Sequence, residues 1–282
     1  MTYEGETNEK GSPHGHGVML SWDGGRYEGH WKDGKAHGQG VMVFGDGSRY
    51  EGQWKDHEPH GHGVANYQNG DRYEGNYKDG TEHGQGVMVI ANGDRYEGQW
   101  KNGVPHGHGV YEFANGDRYE GNYKDGTAHG QGVMVFADGD RYEGHYKDGM
   151  RHGHGVYDST DGKRSEGQWK DNEIYQGVMV FANGDRYEGQ WKNGEPHGHG
   201  VYELGDGSRH EGQWKDNEPH GRMYTTRLDG SGFTTLWKKG KLVSTEDIQP
   251  MSNDELTLEL LKLREMVNEL SRSFHKYDSE PN

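Results

Sequence analysis

Histidine is the residue whose spacing first suggests chemistry in this chain. It occurs as His-Gly-His at His14, His60, His106, His152 and His197. Two imidazoles two residues apart on a strand share a face, so His106 and His108 could chelate one metal ion. Zinc takes three or four ligands. Equivalent pairs recur every 46 residues, about 19 Å along a sheet, too far to complete a site within one chain. The expectation is no metal and no cofactor, with the histidines holding turns and strands; a site shared between two chains stays open. The 50 glycines invite comparison with phosphate-binding loops. Those loops place a lysine and a helix start beside the glycines, and these do not. No nucleophile–base pair or paired acid stands out from the regularly repeated Glu and Asp, so no catalytic residue is assigned and an enzyme is not expected.

The elements that position these side chains follow from an internal period. Tyr-Glu-Gly begins at Tyr27, Tyr50, Tyr73, Tyr96, Tyr119 and Tyr142, 23 residues apart, with variants at Ser165, Tyr187 and His210 and an opening unit at Tyr3. The unit reads Tyr-Glu-Gly-x-(Trp/Tyr)-Lys-(Asp/Asn)-Gly-x-x-His-Gly-x-Gly-Val, and after four or five residues Gly-(Asp/Ser)-Arg. Ten units cover residues 3–232. Within Tyr119–Arg141 the hydrophobic period is two. Tyr119, Gly121 and Tyr123 share one strand face, and Gly130, Gly132, Met134 and Phe136 share one face of the next strand. Asp125-Gly126 and Asp138-Gly139 are turn signals. Each unit is thus a β-hairpin, and successive hairpins form a meander. Glycines on the ring face leave slots that neighbouring rings cover. Twenty strands predict an elongated, single-layer, twisted antiparallel sheet about 95 Å long. One aromatic face is then left either to curl into a groove or to be covered by something else.

Composition agrees with order of this repeating kind. Only 28% of residues are hydrophobic and the net charge is −16, values typical of disordered chains. The 18 Tyr, 8 Trp and 6 Phe are not. The acidic balance argues against nucleic acid and anionic lipid as main partners. Absence of cysteine excludes disulfides and fits a reducing compartment such as the cytoplasm. No run of 18 apolar residues is present to span a membrane, and the N-terminus, Met-Thr-Tyr-Glu-Gly, has no apolar stretch for a signal peptide.

The unit resembles the MORN repeat, whose signature is Tyr-x-Gly-x-(Trp/Phe)-x-x-Gly-x-x-His-Gly-x-Gly. The resemblance implies an elongated β-hairpin array serving as a scaffold in cilia, basal complexes and membrane–cytoskeleton junctions. The opening unit, Tyr3-Glu-Gly-Glu-Thr-Asn-Glu-Lys-Gly-Ser-Pro-His14-Gly-His-Gly17, is similar to that of the MORN-type radial spoke head proteins of motile cilia. That similarity implies an axonemal location. Two departures stand out. His-Gly-Gln units (His37, His83, His129) alternate with His-Gly-His units, which fits either duplication of a two-hairpin block or a partner with a matching period. The seventh and eighth units carry Ser159 and Ser165 in place of rings, and Ile174-Tyr175 in place of His-Gly. A bend or softer joint is expected between Asp158 and Tyr175.

After the repeats, residues 233–250 read as a terminal cap and linker. Ser252-Asn-Asp-Glu255 is a capping box that starts a helix over 251–276. Leu256, Leu260, Leu263, Val267, Leu270 and Phe274 form an a/d seam. Residues 277–282 read as a disordered end. The helix either folds back on the last hairpin or pairs with another chain, as a homodimer or with a different subunit. The expected function is a non-enzymatic scaffold. Partner proteins would bind along a groove of Trp31, Trp54, Tyr77, Trp100, Tyr123, Tyr146, Trp169, Trp191 and Trp214, each ring either packing within the sheet or anchoring a partner. A basic amphipathic helix would suit the acidic rims. The alternative is a phospholipid-binding membrane–cytoskeleton adaptor, as has been proposed for some MORN proteins, which the net charge opposes.

Overall fold

The structure, a computed structural model, describes residues 1–247. The expected helix over 251–276, with its seam residues, lies outside the described residues. Twenty-two strands, from Thr2–Thr7 to Lys241–Asp247, belong to one open antiparallel sheet. The described residues divide into two compact units, Met1–Gly184 with Gln190–Glu195, and Asp185–Gly189 with the described residues from Pro196 onward.

In the first unit each strand pairs with the next in sequence, through Glu173–Val180. One hairpin explains all of them. Strand Arg118–Lys124 turns at Asp125-Gly126 into strand Thr127–Val135. Asp125 and Gly126 have φ of 49° and 87°, and Lys124 pairs with Thr127. That is the two-residue turn with left-handed central residues, whose twist matches that of the strands. The far connection is a different turn: Phe136 N–H donates to Asp140 O and Gly139 N–H donates back to Phe136 O. Here Gly139 alone, at φ 92°, takes the left-handed position. Outside the ring face, surface pairs such as Arg118–Glu120 (2.8 Å) recur in most hairpins; each is worth at most about 1 kcal/mol.

The second strand of the hairpin carries a bulge that the alternation pattern conceals. Tyr123 pairs with Ala128 and Gly121 with Gly132, so the three residues His129–Gln131 lie opposite Asn122 alone. Gly130 sits in this bulge at φ 73°. The slot expected at all three glycines therefore exists at two. A Cβ at Gly132 would lie 2.6 Å from ring carbons of Tyr119, and one at Gly121 would lie 2.6 Å from the Tyr119 hydroxyl. At Gly130 the nearest side-chain atom would be 3.6 Å away, an ordinary contact. Glycine is required there by backbone conformation and not by the ring.

Two rows of backbone bonds staple each hairpin to the next. At the tight turns, Gly126 N–H donates to Pro105 O and Gly103 N–H to Glu82 O. At the far connections, Ala91, Ala114 and Ala137 N–H groups donate to the carboxylates of Asp71, Asp94 and Asp117, one hairpin earlier. Near the expected joint, pairing continues across Asp158–Tyr175 with one irregularity, Tyr175 bulging between the pairs Gln168–Gln176 and Trp169–Ile174. The change there is that Ser165 is buried where other hairpins have a ring, and that Trp169 pairs directly with Ile174, without the three-residue bulge.

In the second unit, strands pair in sequence from Glu195–Glu203 to Lys241–Asp247. Residues Gly232–Asp247, expected as cap and linker, form a further hairpin. Its neighbour shows an exchange: His210 stands where other units have Tyr, and Met223 where they have Gly. Met223 is 2% exposed, and its Sδ lies 2.5 Å from where a Cβ on Gly212 would be. Methionine thus fills the slot that a tyrosine ring fills elsewhere.

Candidate partner-binding face

The rings form a zipper in which each tyrosine that opens a unit lies edge-on between two neighbouring rings. Tyr27 contacts Trp31 of its own strand (centroids 5.0 Å, planes at 84°) and Trp54 of the next hairpin (5.1 Å, 86°). Tyr50 bridges Trp54 and Tyr77, Tyr73 bridges Tyr77 and Trp100, and Tyr96 bridges Trp100 and Tyr123 in the same way. Tyr119 and Tyr142 continue the zipper through Tyr146 to Trp169. In the second unit Tyr187 meets Trp214 at 5.7 Å. Every such pair is worth roughly 0.5–1.5 kcal/mol beyond the area it buries.

The polar ends of the unit-opening tyrosines and of most tryptophans are satisfied inside the sheet. Tyr27, Tyr50, Tyr73, Tyr96, Tyr119 and Tyr142 each donate their hydroxyl to the carbonyl three residues ahead, at 2.9–3.2 Å. Trp31, Trp54, Trp100, Trp169 and Trp214 donate Nε1–H to a glycine carbonyl fourteen residues earlier, at 3.0–3.1 Å. Burial pushes the hydroxyls of Tyr27, Tyr96, Tyr142 and Tyr187 up to about 12.

The nine rings expected as a partner-binding groove are all buried: Trp31, Trp54, Tyr77, Trp100, Tyr123, Tyr146, Trp169, Trp191 and Trp214 are 5–9% exposed. They are the core of the sheet, and their faces are taken up by neighbouring rings. At these positions the rings cover one another. What stays outside is a strip beside them. Phe44, Tyr67, Ile90, Phe113 and Phe136 each begin the far connection of a hairpin, 23 residues apart. Phe44 is 41% exposed and the others are half-buried. Met42, Met88, Tyr111 and Met134, two residues back in their strands, are half-buried as well. The Tyr111 and Phe113 rings lie 4.5 Å apart, tilted by 46°. Sequence reasoning placed Phe136 on the ring face but missed the row; the signal was an apolar residue recurring before each far turn.

A row of carboxylates runs beside this strip, with Asp71, Asp94, Asp117 and Asp140 half-buried at one per hairpin. Tyr111 donates its hydroxyl to Asp94 at 3.0 Å, and Tyr157 donates to Asp140. Hydrogen bonds from Tyr157, Thr160 and Ser159 hold the Asp140 carboxyl down at about 2, and bonds from the Ala114 backbone, Asn92 and Tyr111 lower that of Asp94. Arg151 covers the place where the zipper lapses. Its guanidinium lies 4.7 Å from the Trp169 ring centroid, with Tyr157 and Tyr142 at 5.4 and 5.5 Å, and it donates to Asn172 O at 2.9 Å.

The histidines are engaged with turns. His14, His60, His106, His129, His152 and His197 each place Nδ1 3.5–4.0 Å from the turn aspartate of the following hairpin. His108 lies opposite Asn122 in the ladder. Among the described residues no group of three or more His, Asp or Glu side chains is arranged to hold a metal.

Comparison with known proteins gives one clear match. The MORN repeat family model matches residues 9–26, 27–49, 50–72, 73–95, 96–118, 119–141, 142–164, 176–186, 187–209 and 210–222. The gap in that series, 165–175, is the stretch where Ser165 replaces the ring and the three-residue bulge shrinks to Tyr175 alone. No curated protein matches. Among solved structures, the TCP domain of SAS-4 from Drosophila melanogaster is 12% identical over 71% of this chain and 90% of its own, with a TM-score of 0.28. A streptogramin B lyase is 15% identical over 89% and 88%, with a TM-score of 0.16. Likenesses this low carry no argument about function.

Proposed function

The chain belongs to the MORN repeat family, and from that premise we propose that it is a non-enzymatic scaffold that holds partner proteins against the ring face of its sheet. The observation that carries this reading is the division of labour on that face. The zipper rings are buried by one another, yet the row from Phe44 to Phe136 beside them stays half-exposed. Apolar side chains left outside a self-sufficient core are what a protein surface reserved for contact contains. The partner is basic along its edges, matching the Asp row and the net charge of −16. The segment 251–276, with Leu256, Leu260, Leu263, Val267, Leu270 and Phe274, supplies a second contact, with another subunit or another copy of the chain. We place the scaffold in a cytoplasmic ciliary or cytoskeletal assembly, on the resemblance of its opening unit to radial spoke head proteins.

The competing use of such an array is adhesion to a phospholipid surface. One pair of experiments separates them. Affinity capture from a ciliary extract would compare the full chain with a Phe113→Ser/Phe136→Ser variant, and sedimentation with phosphatidic acid vesicles would run alongside. The scaffold reading expects specific captured proteins that the variant loses, and no vesicle binding. Capture unaffected by the variant, or cosedimentation that the variant abolishes, would reject it.

A further inference from the structure

We infer that the occupant of the half-exposed strip is an extended polyproline-II segment presenting an apolar side chain at every third residue, with lysine or arginine between. The inference rests on the scaffold reading above and names the class of partner. Its basis is spacing. Phe44, Tyr67, Ile90, Phe113 and Phe136 recur once per hairpin. Neighbouring strands lie about 4.8 Å apart, so the row repeats about every 9.6 Å. One polyproline-II turn is three residues and advances about 9.3 Å. A helix returns to the same face after seven residues and about 10.5 Å. Across the four intervals of the row the polyproline segment drifts by about 1 Å, whereas the helix drifts by about 4 Å, close to a whole strand. A β-strand alternates faces every residue, so its third residue points away. Of the regular backbones, only polyproline II stays in step with this surface.

Charge points to the same occupant. Asp71, Asp94, Asp117 and Asp140 repeat with the period of the strip, and Asp94 and Asp140 have neutral hydrogen-bond partners: backbone N–H groups, Asn92, Tyr111, Tyr157, Ser159 and Thr160. Their negative charge is thus available to a cation arriving once per turn. A polyproline-II backbone needs no hydrogen bonds from its receptor because it makes none internally and stays solvated. Aromatic-lined surfaces are what such segments dock on. The uninterrupted run ends at Ser159, one hairpin beyond Phe136, before apolar residues return at Phe181; its five consecutive positions set the length of the contact at five turns.

The test uses the full chain and synthetic peptides of two to five Leu-Pro-Arg triads, with binding measured by fluorescence anisotropy. Affinity should rise about threefold with each added triad, level off at five, fall with salt, and drop in Phe113→Ser. That variant copies the natural Ser159, whose hairpin keeps its register. A shuffled peptide of the same composition with period four should bind at least tenfold more weakly at five triads' length. Equal binding by the shuffled peptide would overturn the inference. So would tighter binding by a leucine–lysine heptad helix, which would leave the strip as a protein-binding face with a different occupant. If neither peptide class binds while capture from extract still depends on Phe113, only the polyproline assignment falls; if capture is also indifferent to Phe113, the scaffold reading falls with it.

Discussion

Replacing Gly132 by alanine should unseat Tyr119 and open the zipper locally. The added methyl would lie 2.6 Å from ring carbons of Tyr119, so the ring must leave its place. What is lost can be counted. Burial of one tyrosine ring is worth about 1.5–3 kcal/mol. Its two edge-to-face contacts, to Tyr123 at 5.3 Å and Tyr146 at 5.1 Å, add roughly 0.5–1.5 kcal/mol each. The hydroxyl bond to Asn122 O at 3.1 Å adds about 1 kcal/mol. Partial relaxation returns some of this, leaving an expected loss of about 3–5 kcal/mol for the hairpin. Gly130→Ala, two residues away, faces only its φ of 73° and should cost about 1–2 kcal/mol. Because repeat arrays lose local units before they unfold globally, native-state hydrogen exchange read at residues 118–135 is the appropriate assay. A double-mutant cycle completes it: with Tyr119→Ser in place, as nature has at Ser165, Gly132→Ala should cost under about 1 kcal/mol. If Gly132→Ala costs no more than Gly130→Ala, or as much with Tyr119 removed as with it present, the ring-over-glycine account is wrong.

Alkaline titration should expose the zipper as a unit. Tyr27, Tyr96, Tyr142 and Tyr187 ionise near 12 when folded because of burial, against about 10 in an unfolded chain. Their contribution is complete below pH 10 and is lost as pH rises toward 12; tyrosinate absorbance should climb together with loss of near-ultraviolet circular dichroism, and a tyrosinate rise near pH 10 without unfolding would contradict it. Asp140 behaves in the opposite sense: its carboxyl, held at about 2, supports the fold above its ordinary value near 4 and ceases to as pH falls through 2, which carboxyl-carbon NMR can follow. Arg151→Ala should reduce protection of residues 164–180 by about 1–2 kcal/mol, since the guanidinium 4.7 Å from the Trp169 centroid stands in for a missing ring; an equal loss in Asp158→Ala alone would argue against that assignment. Zinc added to the full chain should give no calorimetric signal attributable to His106 and His108, because Nδ1 of His106 already faces Asp125; a His106→Ala-sensitive heat would disprove this.

Much of this architecture was legible because the repeat writes the same physical instruction many times. A two-residue step led by Asp or Asn, and closed by Gly in most hairpins, fixes the turns, and period two assigns Tyr119, Gly121 and Tyr123 to one face, as found. The bulge at His129–Gln131 was hidden for a definite reason: three residues opposite one leave the in–out parity of the strand unchanged. The fate of the rings was hidden too. Alternation says which side Trp31 is on but not that Tyr27 and Tyr3 lie edge-on against it, so rings read as a contact surface turned out to be core. The outer row escaped notice because Phe136 reads as one more strand residue until its neighbours' exposure is known. Ser165 was recognised as a loss of a ring, but Arg151 as its replacement could not be, since its guanidinium reaches Trp169 and Tyr157 only across the sheet.

The exchange at His210 and Met223 has a consequence for how arrays of this kind are assembled. In an ordinary hairpin the space above the paired glycines is left for a ring, and the ring itself completes its packing only on the hairpin that follows. Each module is thus an open valence. Where methionine replaces a glycine and Thr235 the next, the module saturates itself. Copies inserted ahead of that pair would find a matching acceptor on both sides, whereas the hairpin behind it, Gly232–Asp247, joins through the backbone ladder with Thr235 facing Met223 where a glycine would face a glycine. The succession of ring-over-glycine modules thus ends at the saturated one, while the sheet runs one hairpin further.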